Sequence, residues 1–168
     1  PCEVVQAVRA AVGPDFPISF RISQWKTRAY DAKNFRDPDE LKIVLDMLRA
    51  AGVDIFHAST RRFWTPEFAG SDMGFAGWVR KLSGMPVITV GSVGLDTDIM
   101  GSLTGSDARS TGAGGLVELL RRFEAGEFDL AAVGRACLGD PHWVRKVRDG
   151  RFDALQPFSK DHLAFVTA

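Results

Sequence analysis

The chain has 168 residues, of which 45% are hydrophobic and 25% charged, a composition typical of a globular α/β protein. Its 21 basic and 21 acidic side chains cancel, so no overall charge favours nucleic acid or a membrane surface as a partner. The apolar runs are too short to span a bilayer, the start of the chain lacks a secretory pattern, and the two cysteines are isolated. The sequence therefore predicts a cytoplasmic protein, and its three scattered histidines predict no metal site.

Hydrophobic periodicity predicts one leading helix followed by four repeats of strand and helix, all within a single unit of residues 1–168. The predicted elements are helix 3–12, strand 17–22, helix 39–51, strand 53–56, helix 75–82, strand 87–90, helix 116–123, strand 130–133 and helix 140–148. The strands are short and almost continuously apolar, as expected when parallel strands are covered on both faces. Residues 93–113 are rich in Gly, Ser, Thr and Asp, and we interpret them as a lid-like or interface loop.

Two architectures share this alternation, an open doubly wound sheet and a (β/α)₈ barrel. A dinucleotide-binding sheet requires a GxGxxG turn after its first strand, whereas this chain has SQWKTRAY there. Its glycines follow the last two predicted strands instead, where barrels commonly bind phosphate. The sequence thus favours the barrel, and four strands amount to half of one.

Glycines follow the third and fourth predicted strands, in the stretches VGSVG and VGRACLGDP. Gly91 and Ser92 would offer backbone donors with little side chain in the way, and Gly134 and Arg135 would add a fixed cation from the neighbouring loop. Either cluster alone could simply be a chain turn. Because both lie at the same edge of the predicted sheet, together they predict a phosphate site.

Arg21 lies near the end of the first predicted strand, between Phe20 and Ile22, so alternation places it on the face opposite to these neighbours. It is either on a solvated face or inside a barrel mouth, where burial would require an anion or a carbonyl-rich ligand. His57 closes the second predicted strand, as a hydrogen-bonded rim residue or a catalyst.

Aromatic residues occupy the loops that follow these two strands. Trp25 and Trp64 could form the wall of a flat ligand site or close the top of the barrel. The adjacent pair Arg61 and Arg62 is typical of a solvated turn, and less often contacts an anionic substrate.

The stretches FPISFRISQWK, GVDIFHAST, MPVITVGSVGL and GEFDLAAVGRACLGDPHWVRKVRDG, in this order, resemble the C-terminal half of the Old Yellow Enzyme family of NADH:flavin oxidoreductases. The resemblance covers nearly the whole chain. It implies an FMN-dependent TIM barrel, an ene-reductase that transfers hydride from NAD(P)H through FMN to activated alkenes such as α,β-unsaturated carbonyls. It also implies that Arg21 faces the flavin, and that Gly91, Ser92, Gly134 and Arg135 hold its phosphate.

The same resemblance implies that substrate-anchoring and proton-donating residues lie in the first half of the barrel, so we expect no confident catalytic residue in this chain. Tyr30 does not match the family's proton donor. The chain would then be incomplete as a catalyst alone, and would form a homodimer or pair with an N-terminal half. The alternative is a non-catalytic half-barrel that binds a phosphorylated ligand or assembles with another chain. A phosphosugar-binding barrel enzyme would share the phosphate loops but would not explain the RISQWK strand.

Overall fold

The computed structural model describes residues 1–26, 29–105 and 107–167 of the chain. A leading helix is followed by four strands that alternate with helices, as the sequence predicts. The elements are α1 (Cys2–Val12), β1 (Ser19–Ser23), α2 (Pro38–Ala50), β2 (Ile55–Ser59), α3 (Phe75–Ser83), β3 (Val87–Val90), α4 (Ile99–Thr104), α5 (Gly112–Glu124), β4 (Leu130–Ala131), α6 (Arg135–Gly139) and α7 (Trp143–Arg148). Two short 3₁₀ helices, Phe152–Ala154 and Lys160–Thr167, follow.

The four strands form one sheet in the order β1-β2-β3-β4, and every neighbouring pair is parallel. Each strand therefore lies beside the next strand in sequence, and a helix connects the two, which is the βα arrangement that the sequence predicts. An α/β fold with a four-stranded parallel sheet is consistent with half of a TIM barrel. Closure of the sheet into a barrel stays a prediction.

One face of the sheet is packed against helices and forms the main core. Phe56 and Val87, which are register partners, are fully buried there with Leu41 and Leu45 of α2. The opposite face carries the row Arg21, His57, Ile88 and Leu130, one residue from each strand in register. Arg21 and Leu130 at the two ends of this row are exposed, whereas His57 and Ile88 are half-buried, so the described part of the chain covers this face only in part.

Helix α2 shows how local sequence signals determine an element. Asp37 caps it, because its Oδ1 accepts a hydrogen bond of 2.9 Å from the backbone N–H of Glu40. Pro38 at the first helical position has no N–H that would need a partner there. Both features were expected from the Asp-Pro pair.

The structure corrects four boundary predictions. Helix α4 interrupts the predicted loop 93–113, of which residue 106 lies outside the described residues. Helix α5 begins at Gly112 rather than residue 116, because the glycines Gly114 and Gly115 hide its periodicity. Strand β4 ends at Ala131, because the chain turns into α6 at Gly134, and residues 140–148 contain only the six-residue α7.

Strand β2 also differs from prediction at the position that matters for the site. It runs to Ser59, so His57 lies inside the strand and does not close it. No helix in the described ranges is long and apolar enough to cross a membrane. The same ranges contain no cluster of three His, Cys, Asp or Glu side chains that could hold a metal ion.

Candidate functional site

A cavity of about 230 Å³ lies at the carboxyl ends of the strands, and residues that follow all four strands line it. Three arginines contribute to its wall: Arg21 on β1, Arg61 after β2 and Arg135 at the start of α6. Among the described residues, none of the lining side chains is a carboxylate. The arrangement therefore presents unbalanced positive charge to anything bound in the cavity.

Arg135 is held by hydroxyl groups rather than by an acid. Its two terminal nitrogens donate to the hydroxyl oxygens of Ser102, at 2.5 Å, and Ser92, at 3.0 Å. Partial burial lowers the pKa of the guanidinium, and the nearby charges of Asp98 and Asp96 oppose that shift. An arginine nevertheless stays protonated in proteins, so Arg135 is a fixed cation with neutral contacts and can donate hydrogen bonds to an anionic oxygen.

Two successive residues in the turn after β3, Gly91 and Ser92, have positive φ angles. Gly91 has a φ of 148°, and a Cβ added there would come within 2.5 Å of the carbonyl oxygen of Thr60. Ser92 follows with a φ of 54°, in the left-handed region that non-glycine residues rarely adopt. Its hydroxyl donates to the carbonyl oxygen of Arg61 over 2.8 Å. Strain of this kind persists where surrounding contacts fix the conformation, often at functional sites.

Gly134 differs from Gly91, because no described atom lies near the position that a side chain would take there. Its φ is −101°, outside the left-handed region, and an added Cβ would meet no atom within 4 Å. The glycine leaves open space directly beside Arg135. Gly94, by contrast, packs against the ring of Trp143, where a Cβ would come within 2.9 Å. Of the three glycines Gly91, Gly94 and Gly134, therefore, only Gly134 leaves its side-chain position free for a ligand.

Arg21 lies on the face opposite to Phe20 and Ile22, as alternation predicts, and it is exposed. It donates a hydrogen bond of 3.0 Å to the hydroxyl of Ser59. Its register partner His57 is not part of the cavity wall, and the Nε2 atom of His57 is buried without a hydrogen-bond partner among the described residues. Burial and the nearby Arg21 both lower the pKa of His57, which keeps the imidazole neutral at pH 7.

Arg61 makes contacts that the sequence did not reveal. Its guanidinium lies 3.8 Å from the centre of the Tyr30 ring and 5.1 Å from that of Trp25, and it donates to the carbonyl oxygens of Tyr30 and Lys26. Of the two alternatives for the Arg61–Arg62 pair, Arg61 therefore fits a wall residue of the cavity better than a solvated turn. The aromatic residues and the arginine pair were visible in the sequence, but Tyr30 and Arg61 are 31 positions apart and nothing local indicated that they meet.

Trp25 and Trp64, candidates either for the wall of a flat ligand site or for closing the barrel top, line different cavities in the structure. Trp25 lines the cavity together with Arg21 and Arg135. Trp64 instead forms an edge-to-face pair with Phe63, with ring centres 5.1 Å apart, and lines another cavity against Gly114 and Gly115. The structure therefore brings together Arg21, Trp25, the turn after β3 and the turn after β4, and excludes His57 and Trp64 from this cavity wall.

The known proteins that the chain resembles include two distant relatives of much greater length. Over 165 residues, the chain is 28% identical to an NADH oxidase of Thermoanaerobacter brockii, covering 93% of this chain and 22% of that protein. Over 167 residues, it is 24% identical to a bilirubin reductase of Clostridium symbiosum (strain WAL-14163), covering 92% of this chain and 39% of that protein. The chain thus spans less than two fifths of the curated relatives it matches. No protein-family model matches it.

Proposed function

We propose that this chain is the cofactor-holding part of an NAD(P)H-linked oxidoreductase, and that its cofactor is FMN. The observation that carries the proposal is the cavity at the carboxyl edge of the sheet, lined by three arginines and by no carboxylate among the described residues. A bound group with a phosphate at one end and an electron-accepting ring at the other would match cations on different elements, Arg135 at the start of α6 and Arg21 on β1. The names of the relatives, NADH oxidase and bilirubin reductase, support redox chemistry.

In this proposal Arg135 and the backbone at Gly134 bind the phosphate. Arg135 has only hydroxyl contacts through its terminal nitrogens, and Gly134 leaves its side-chain position open. The hydroxyl of Ser92 lies 3.0 Å from Arg135 and holds the guanidinium at the turn after β3. This donor set fits a phosphate dianion, because charge-assisted hydrogen bonds from a fixed arginine are stronger than those of neutral donors.

Arg21 would face the ring of the cofactor. It lies on the partly covered face of the sheet and is held by Ser59 rather than by an acid. Bound FMN supplies hydride chemistry between a nicotinamide and an activated alkene such as an α,β-unsaturated carbonyl. Arg21 would stabilise the negative charge that a flavin acquires on reduction. Trp25, in the same wall, would cover one side of the site and exclude water.

In the first test, we expect the chain to bind FMN about tenfold more tightly than riboflavin. A charge-assisted contact between a phosphate and a fixed cation accounts for this difference in affinity. The chain is titrated with each flavin and followed by visible absorbance, alone and together with the polypeptide encoded immediately upstream. NADH or NADPH is then added without oxygen, and the bound flavin should lose its oxidised absorbance. Absence of flavin binding in both samples contradicts the proposal, and bound flavin that neither nucleotide bleaches contradicts its NAD(P)H part.

A specific observation favours assembly with another chain as a second candidate function. Apolar side chains are exposed along α1 on one side of the sheet and along α5 and β4 on the other; they include Val4, Val117, Leu120 and Leu130, each at least 57% exposed. Exposed apolar patches on both sides of an open parallel sheet typically mark association surfaces.

Self-association of the isolated chain is the predicted consequence, because closing both sheet edges would bury these side chains. Light scattering coupled to size exclusion should give a mass above the 18.4 kDa of one chain. Replacement of Leu120 and Leu130 by lysine should shift the mass towards the monomer, whereas lysine in place of the exposed Glu124 on the same helix should not. A monomer at all concentrations would contradict this second function.

A further inference from the structure

A buried carboxylate, Asp98, connects the loops around the cavity. It is 2% exposed and lies at the end of the turn after β3, immediately before α4. We propose that Asp98 is a positioning residue for the anion site: it fixes α4, and through Ser102 of α4 it fixes the guanidinium of Arg135. This inference rests on the proposed function, because the anion is the phosphate assigned above.

The two carboxylate oxygens of Asp98 have different partners. Oδ1 accepts a hydrogen bond of 3.0 Å from the backbone N–H of Gly101 and so caps α4. Oδ2 accepts the hydroxyl of Tyr30 at 2.6 Å and lies 3.0 Å from a guanidinium nitrogen of Arg62. One carboxylate therefore joins the loops after β1 and β2 to the helix that follows β3.

Helix α4 connects Asp98 to the guanidinium of Arg135 through Ser102. Ser102 is 2% exposed, and its backbone N–H donates to the carbonyl oxygen of Asp98 over 3.1 Å. Its hydroxyl is the 2.5 Å acceptor for Arg135 described above. A six-residue helix has little stability of its own, so its placement depends on such tertiary contacts. Loss of the Asp98 contacts would let Ser102, and with it Arg135, move.

The electrostatic effect of Asp98 has the opposite sign, which makes the proposal testable. A negative charge near Arg135 repels a bound phosphate, so removal of that charge alone would strengthen phosphate binding. Removal of the positioning contacts would weaken it. A carboxylate that acts only through its charge and one that acts through position therefore predict changes of FMN affinity in opposite directions.

The decisive variant is Asp98→Asn, with Asp37→Asn as its matched control. Both residues cap a helix through Oδ1, and asparagine is an equally good capping residue, so Asp98→Asn loses only the Oδ2 contacts with Tyr30 and Arg62. Asp37 on α2 makes no contact with Arg135 among the described residues. We expect Asp98→Asn to lower FMN affinity by about tenfold and to leave riboflavin affinity within about twofold. Tyr30→Phe keeps the charge and the ring, and should lower FMN affinity by about threefold.

Hydrogen–deuterium exchange of the peptide that covers α4 provides a readout without flavin. Exchange should become at least about tenfold faster in Asp98→Asn and Tyr30→Phe, and stay unchanged in Asp37→Asn. Increased or unchanged FMN affinity in Asp98→Asn, or unchanged exchange of α4, would overturn the role of Asp98. A wild-type chain that binds FMN no more tightly than riboflavin would instead contradict the proposed phosphate site, and the exchange measurement would still decide on Asp98.

Discussion

Replacement of Arg135 by alanine is expected to lower the affinity for FMN by about 100-fold and to leave the affinity for riboflavin within about twofold. The expectation follows from a charge-assisted contact worth about 2 to 3 kcal/mol, which corresponds to about 30- to 150-fold in binding. Riboflavin lacks the phosphate, so it does not depend on this contact. Fluorescence titration of both flavins measures the two affinities in the same buffer.

Arg145 provides the matched control for this substitution. It is an exposed arginine on α7, and Arg145→Ala removes the same charge without touching the cavity. Arg135→Lys keeps the charge but loses the planar fork, so its loss of FMN affinity should be intermediate. Equal losses for FMN and riboflavin in Arg135→Ala would show general damage to the site, and unchanged FMN affinity would show that the phosphate lies elsewhere.

The largest expected effect on stability comes from Arg122, whose replacement by alanine should lower the free energy of unfolding by about 3 to 5 kcal/mol. Arg122 and Glu127 are both nearly inaccessible, with 3% and 8% of their side chains exposed, and their charged groups meet at 2.9 Å. The substitution would leave the charge of Glu127 buried without its cation. Urea denaturation followed by circular dichroism measures the loss.

This ion pair also anchors the loop after β2. Arg122 donates to the carbonyl oxygens of Trp64, at 2.8 Å, and Asp72, at 3.1 Å, while Glu127 accepts from the backbone N–H of Gly74 at 3.1 Å. Gly77 on α3 makes room for the pair, because a Cβ there would come within 2.9 Å of Glu127. Two buried side chains therefore hold both ends of a loop that has no regular structure of its own.

The neighbouring Arg121 is the control for Arg122. Both arginines contact Glu118, and hydrogen bonds from Arg121 and Arg122, together with their charges, lower the pKa of Glu118 to about 2. Arg121 is half-exposed, so Arg121→Ala should change stability far less. The double change Arg122→Met with Glu127→Leu should recover part of the loss, since no buried charge is left unpaired. Equal effects of Arg121→Ala and Arg122→Ala would contradict this explanation.

The sequence predicted the repeat of strands and helices because each strand is a short apolar run that ends in a polar residue or a glycine. Alternation likewise predicted the orientation of Arg21, since Phe20 and Ile22 required the other face. These signals are local, and the physical rule behind each acts over a few residues. They also predicted which loops meet at the carboxyl edge, because parallel strands bring these loops together.

The parts that the sequence did not reveal depend on contacts between distant residues. Arg61 stacks on rings that lie 31 and 36 positions before it, and Asp98 accepts a hydroxyl from a residue 68 positions away. Helix α4 was not predicted because it has only six residues, IMGSLT, and one glycine and one serine among them leave no clear hydrophobic periodicity. Its one local signal was Asp98, an acidic residue at a position where a helix cap was possible.

The register row Arg21, His57, Ile88 and Leu130 crosses the partly covered face of the sheet from a cation to an aliphatic residue. Any surface that packs on this face must therefore be polar over β1 and apolar over β4. If that surface packed in the reverse direction, it would bury Arg21 against apolar side chains. The gradient from charged to apolar side chains across the sheet thus determines the orientation in which a complementary surface can pack on it. It does so before any contact with the loops contributes.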